Sequence, residues 1–284
     1  MATFFNQATL TYNGIVANSN ITTGELIEVI SAVKTAAPDT YGSDEAITYV
    51  ISIQNSGIAP ISSLSLSDDL GAYDFGGTAL VPLTYVADSV LYYVNGILQA
   101  TPAVVAGPPL TVSGINVPAG GNAIVVYQAV PNEFAPRATD GSILNTVTVT
   151  GGGLSTPVTA SETVTANAEP LLTITKGLSP TTVAENGTLT YTFTIQNLGN
   201  TAAVATDNVI LTDTLNPILN PITVTYNGTV WTEGVEYTYD TATGLFQTTP
   251  GQITVPAATY TQDPVTGAWN VVPGTATITL TGTV

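Results

Sequence analysis

One stretch of this chain occurs twice, and that repeat limits the fold more than any other feature. Ala46-Ile47-Thr48-Tyr49-Val50-Ile51-Ser52-Ile53-Gln54-Asn55-Ser56-Gly57 is matched by Thr188-Leu189-Thr190-Tyr191-Thr192-Phe193-Thr194-Ile195-Gln196-Asn197-Leu198-Gly199. Apolar positions alternate with Thr, Ser or Gln, the period of a strand with one buried face. Each copy stops at an Asn-x-Gly turn signal. The match continues downstream. Leu64-Ser65-Leu66-Ser67-Asp68-Asp69-Leu70 pairs with Val209-Ile210-Leu211-Thr212-Asp213-Thr214-Leu215, both read as strands. Tyr93-Val94-Asn95-Gly96 pairs with Thr225-Tyr226-Asn227-Gly228, each an Asn-Gly hairpin. Val117-Pro118-Ala119-Gly120-Gly121-Asn122 aligns with the segment that begins Val272-Pro273-Gly274. Such repetition predicts two domains of one architecture.

The chain has 284 residues, enough for two domains with separate cores. Its 26 Gly and 18 Pro, its few charged residues and the lack of a helical period predict an all-β protein. Short strands between Gly, Pro and Asn turns, in units of this size, predict two tandem immunoglobulin-like β-sandwiches. Cysteine and histidine are absent, so there is no disulfide, no thiol chemistry and no imidazole base. With no nucleophile elbow either, the sequence gives no support for a hydrolase. The net charge of −17 opposes nucleic acid and anionic lipid as partners, and no run is long and apolar enough for membrane insertion. Met1-Ala2-Thr3 carries no visible signal peptide; the expectation is a removed signal or another exit route.

A third repeated stretch has a different arrangement. Leu144-Asn145-Thr146-Val147-Thr148-Val149-Thr150-Gly151 closes the first unit and leads into the second, with Lys176 lying 31 positions after Asn145. Phe5-Asn6-Gln7-Ala8-Thr9-Leu10-Thr11-Tyr12-Asn13-Gly14 reads as the same closing strand, with Lys34 lying 28 positions after Asn6. No complete unit precedes it. The second unit shows no such strand after its last matched segment. The predicted organisation is a donor strand and linker over 1–26, a complete sandwich over 27–168, and an incomplete, strand-accepting sandwich over 169–284.

The motifs around Tyr49 and Tyr191, the Asp68 and Asp213 strands, and the closing strands at Asn6 and Asn145 resemble a family of bacterial and archaeal surface-protein repeats. That family has the marks T-Y-T-x-x-x-x-N-x-G-N, D-x-L and N-T-x-T-V-T. The resemblance covers nearly the whole chain. It implies secreted or surface-displayed sandwiches in tandem and no enzyme activity.

Residues two apart on a strand share a face. Lys34 therefore lies with Ile30 and Ala32, Lys176 with Leu172 and Ile174, Asp68 with Leu64 and Leu66, and Asp213 with Val209 and Leu211. Asn145 lies with Val147 and Val149, and Asn6 with Ala8, Leu10 and Tyr12. A Lys, an Asp and an Asn aimed at an apolar core must satisfy one another. One reading is a buried ion pair with a hydrogen-bonded amide. The other is an autocatalytic isopeptide bond between Lys and Asn, with Asp68 and Asp213 as proton shuttles. Desolvation would supply a neutral amine and a protonated acid. The set resembles the arrangement in cross-linked Gram-positive pilins, where the acid is often Glu. The chain's only lysines are Lys34 and Lys176, both at this position.

The expected cross-links are Lys34 to Asn145 within a chain and Lys176 to Asn6 between chains. The donor strand would present Phe5, Ala8, Leu10 and Tyr12. The predicted function is a structural subunit of an extracellular, pilus-like or spore-appendage-like filament. It would polymerise head to tail with identical subunits by strand donation. The alternative is a monomeric two-domain surface adhesin. No cofactor is expected. Asp39, Asp44 and Glu45 form an acidic loop without Ca²⁺-loop spacing. Tyr12, Tyr226, Trp231, Tyr237 and Tyr239 could form a carbohydrate face, but such aromatics are more often cross-strand pairs or sandwich core. Asn20, Asn186 and Asn227 fit the glycosylation pattern in a Thr-rich chain, where it arises by chance.

Overall fold

The computed structural model describes residues 2–42 and 45–284, so Asp44 of the acidic loop lies outside the described residues. Apart from one short 3-10 turn at Ala205–Asp207, all regular structure among the described residues is β. The chain forms two compact units. By compactness residues 40–42 and 133–143 group with residues 165–284 and the remainder forms the other unit, although the strands at this boundary, Thr40–Tyr41 and the end of Val158–Ala166, continue a sheet of the first.

The first unit is a two-sheet sandwich. One sheet runs Ile97–Leu98, Leu91–Val94, Asn122–Pro131, Ile47–Asn55, Ile30–Ala37. The other runs Ala103–Val105, Leu110–Val117, Ile61–Asp68, Ser142–Gly151, Val158–Ala166, with Thr40–Tyr41 at its far edge. The strand period appears directly as alternating burial. Ile47, Tyr49, Ile51 and Ile53 point into the core from one sheet, and Leu64, Leu66, Val147 and Val149 from the other.

The second unit repeats the first sheet and only part of the second. Leu172–Ser179, Thr188–Asn197, Gly274–Thr283, Ile222–Tyr226 and Thr229–Val230 form a five-stranded sheet. The other sheet has three strands, Thr212–Thr214, Leu245–Thr248 and Tyr237–Asp240. In the first unit, Ile61–Asp68 is flanked on both sides, by Leu110–Val117 and by Ser142–Gly151. Its counterpart, Thr212–Thr214, pairs only with Leu245–Thr248. Among the described residues no strand covers its other edge. The predicted strand Val209–Leu215 is correspondingly reduced to three residues, because only one neighbour supplies a ladder.

The Asn of the repeated motif is a staple. Asn55 Nδ2 donates to the carbonyls of Ala59, Val117 and Pro118, and Asn55 Oδ1 accepts from Gly57 N. Asn197 does the same with Thr201 and Pro256, and its Oδ1 accepts from Gly199 N and Leu171 N. The bond to Pro256 corrects the predicted alignment. The counterpart of Val117-Pro118 is Val255-Pro256, not Val272-Pro273. The hairpin Thr259–Gln262/Trp269–Val272 is an insertion between that loop and Gly274–Thr283. Gly274 must be glycine there, since a Cβ would lie 1.9 Å from the Pro256 carbonyl oxygen. Each Asn satisfies several backbone groups that would otherwise be buried without partners. Asn55→Ala or Asn197→Ala should therefore cost its unit about 2–4 kcal/mol in urea unfolding.

Residues 2–26 depart most from expectation. The single strand predicted over Phe5–Gly14 is two, Ala2–Asn6 and Thr9–Tyr12. The predicted linker is their return arm. Thr22–Leu26 pairs with Ala2–Asn6 and Ile15–Asn18 with Thr9–Tyr12, around a turn with Asn13 and Gly14 at φ 47° and 78°. The two ladders differ in register by one residue, because the return arm carries an extra residue near Asn20. The break at Gln7-Ala8 follows from that bulge. Phe4, Phe5, Leu10, Tyr12, Ile15 and Val16 are all more than half exposed.

Candidate functional site

In the first unit the Lys–Asp–Asn set is assembled across the sandwich. Lys34 comes from the edge strand of one sheet, while Asp68 and Asn145 come from adjacent strands of the other. Lys34 Nζ lies 2.7 Å from Asp68 Oδ2, and the lysine side chain has no exposed surface. Asn145 is fully buried. Its Nδ2 donates to Tyr127 Oη at 2.8 Å, while its Oδ1 has no hydrogen-bond partner. Tyr127 and the Asp68 carboxylate also influence one another's protonation. Lys34, Asp68, Tyr127 and Asn145 thus form one buried polar cluster. The rings of Tyr49 and Tyr127 stack at 5.3 Å, and Lys34 Nζ sits 4.9 Å and 5.9 Å from their centroids.

Burial dominates the electrostatics. Desolvation lowers the Lys34 pKa and the nearby Asp68 carboxylate only partly opposes it. Desolvation likewise raises the Asp68 pKa against the pull of Lys34. Both shifts favour moving the proton from Nζ to the carboxylate, giving a neutral amine beside a carboxylic acid. Burial and the Asp68 charge raise the Tyr127 pKa, so its hydroxyl stays protonated. The arrangement offers a nucleophile, an acid, and an amide whose carbonyl oxygen is open to a proton. Tyr127 and Tyr49 were missed as site residues. The signal was present, since the repeat places Tyr49 within a shared motif and Tyr127 two strand positions from Val125 on a core face.

The second unit holds the same pair without its cover. Lys176 Nζ lies 2.5 Å from Asp213 Oδ2, but the side chains are 41% and 19% exposed. Lys176 Nζ sits 4.5 Å from the centroid of Tyr191 and 5.5 Å from that of Phe193. The Tyr127 position is different here: the residue opposite Tyr191 in the ladder is Leu280, as Tyr127 is opposite Tyr49. No asparagine of residues 169–284 stands beside Asp213 as Asn145 stands beside Asp68. Asn6 is held in the N-terminal hairpin, opposite Thr22.

The other candidates have structural roles. Tyr237 and Tyr239 are buried in the second core, in line with the core reading and not with an exposed carbohydrate face. Tyr226 and Trp231 stack on one another at 5.0 Å. Among the described residues no group of acidic side chains could hold a metal ion, and no helix is long and apolar enough to cross a membrane.

No protein-family model and no curated protein matches the chain. Solved structures with similar strand arrangements include the pilus backbone RrgB of Streptococcus pneumoniae, at 14% identity and TM-score 0.35, covering 86% of this chain and 55% of that one. The C-terminal fragment of the major pilin GBS80 of Streptococcus agalactiae shows 12% identity and TM-score 0.36, covering 81% and 79%. The major pilin SpaD of Corynebacterium diphtheriae shows 12% identity and TM-score 0.36, covering 86% and 59%. The chain thus spans little more than half of the pneumococcal structure. Likenesses at this level do not indicate what the chain does.

Proposed function

We propose that this protein is a structural subunit that polymerises head to tail into an extracellular filament on a cell or spore surface. The observation that carries this reading is the edge of Thr212–Thr214 that no strand covers among the described residues, beside the partly exposed Lys176–Asp213 pair. The same chain carries an exposed second copy of the strand that covers this edge in the first unit. A donated strand would satisfy the open ladder and fill the groove. Donor and acceptor lie on different parts of the chain, so the contact is heterologous, and copies joined without closing into a ring propagate as a fibre.

The buried Lys34–Asp68–Asn145 set supports a second element of the proposal, an autocatalytic amide bond. Neutral Lys34 Nζ attacks Asn145 Cγ, and Asp68 gives its proton to Oδ1. As the carbonyl re-forms, a proton taken from Nζ is delivered to Nδ2, which leaves as ammonia; Asp68 ends as the acid. Lys176, Asp213 and an incoming Asn6 would repeat this between subunits.

Deleting residues 2–12 tests the strand-donation reading. The truncated chain should remain monomeric in size-exclusion chromatography where the full chain forms fibres in negative stain. If the deletion assembles as the full chain does, strand donation is wrong. A full chain that stays monomeric at every concentration would favour the two-domain adhesin.

A further inference from the structure

We infer that the donated element is the whole N-terminal hairpin, residues 2–26, rather than a single strand. This rests on the strand-donation reading above and specifies its interface.

The first unit carries the pattern. Its Asp68 strand is covered by two strands in succession, Ser142–Gly151 and then Val158–Ala166. The Thr146 and Ser161 hydroxyls meet at 2.9 Å, and Ala166 N donates to the Gly141 carbonyl, which together set Ile143 opposite Val164. The N-terminal hairpin has the same construction. Aligning Asn6 on Asn145 puts Phe4 on Ile143, Ala8 on Val147 and Leu10 on Val149. Across the ladder, Gly24 falls on Val164, because Phe4 pairs with Gly24. The volumes compensate. A Cβ on Gly24 would lie 2.3 Å from Phe4 Cζ, so the larger Phe4 ring occupies the space that the Val164 side chain fills in the other hairpin.

Burial separates the two copies. Ile143, Val147, Val149 and Val164 are buried, whereas Phe4, Ala8 and Leu10 are exposed. Alternation sets Phe4, Ala8, Leu10, Tyr12, Ile15 and Leu26 on one face. Thr3, Gln7, Thr9, Thr11, Thr23 and Glu25 line the other, with Phe5 and Val16. Phe4, not Phe5, is therefore the groove-facing aromatic. An isolated hairpin with an uncovered apolar face is marginal in water. The register of Val147 opposite Asp68 and Val149 opposite Leu66 carries over. It seats Ala8 opposite Asp213 of a second copy, Leu10 opposite Leu211 and Asn6 beside Leu215, with the Thr22–Leu26 arm as the next strand out.

Locking the hairpin tests this in the full chain. Thr3 and Glu25 are directly paired on the face away from Asn6, at the roughly 4.5–5.5 Å Cα spacing of antiparallel partners, which a disulfide can bridge. The chain has no cysteine, so Thr3→Cys/Glu25→Cys forms one defined bond. If the hairpin docks intact, the oxidised variant polymerises at the rate of its reduced form. If oxidation blocks assembly and reduction restores it, the strand must peel away and the inference fails while strand donation stands. Wild-type chain that does not polymerise overturns both. Hydrogen exchange on wild-type filaments gives an independent readout. Residues 15–26 should become as protected as residues 2–12, and free exchange at 15–26 alone would overturn the inference.

Discussion

Filaments of this chain, boiled in SDS, should run as a ladder at multiples of the subunit mass, unchanged by reductant because there is no cysteine. Backbone ladders and apolar burial hold a donated strand by contributions that heat and detergent reverse, each net hydrogen bond being worth about 1 kcal/mol. An amide between Lys176 and Asn6 would survive both. Lys176 Nζ is held by Asp213 at 2.5 Å and lies over Tyr191, and the exposure of this pair marks the space a donor would fill. Docking would also take the Lys176–Asp213 pair out of water, as Lys34 and Asp68 already are, and would so couple bond formation to assembly. Asn6→Ala and Lys176→Ala should each collapse the ladder to monomer under denaturing conditions. Native fibres of Asn6→Ala should persist, since Ala8 and Leu10 still fill the groove. Boiled wild-type filaments that run wholly as monomer would rule out the covalent junction and leave strand donation untouched.

The intramolecular bond has the second large effect. Intact-mass measurement of the wild-type chain should show the loss of one ammonia for Lys34–Asn145, and Asp68→Asn should abolish it. Tyr127→Phe should slow bond formation without preventing it. The hydroxyl holds Asn145 Nδ2 at 2.8 Å and so positions the amide rather than reacting with it. For stability, Asn145→Ala is the informative variant, since it leaves the Lys34–Asp68 pair intact. Removing Asp68 instead would strand a buried charge and add its own penalty of about 3–5 kcal/mol. A cross-link that closes a loop of over a hundred residues is worth about 4–5 kcal/mol in chain entropy. For a domain of this size that corresponds to roughly 10–20 °C in Tm. Calorimetry that finds wild-type and Asn145→Ala melting together, with no ammonia lost from the wild type, would leave the set as an ion pair.

The sequence by itself determined the all-β class, the duplication and the pairing of each lysine with its aspartate. Those follow from local rules. Alternation with period two fixes which side chains share a face. Asn-Gly fixes three hairpin turns, at Asn13, Asn95 and Asn227, all with positive φ. A lysine on an apolar face needs an acid. Three features depended on the tertiary structure. The motif asparagines are staples because distant loops bring carbonyls to them: Pro118 to Asn55 and Pro256 to Asn197. That contact also exposed the insertion before Gly274, which a repeated Val-Pro had disguised. Val125 makes the core face of Tyr127 legible, but its contact with Asn145 comes from packing one sheet on the other, which no spacing in the chain records. Finally, Gly14–Leu26 reads as a linker because Asn18-Ser19-Asn20 and Gly24 interrupt the alternation of its apolar residues. Only the ladder to Ala2–Asn6 and Thr9–Tyr12 makes it a strand arm. Pairing is a property of two segments, and the sequence of one does not carry it.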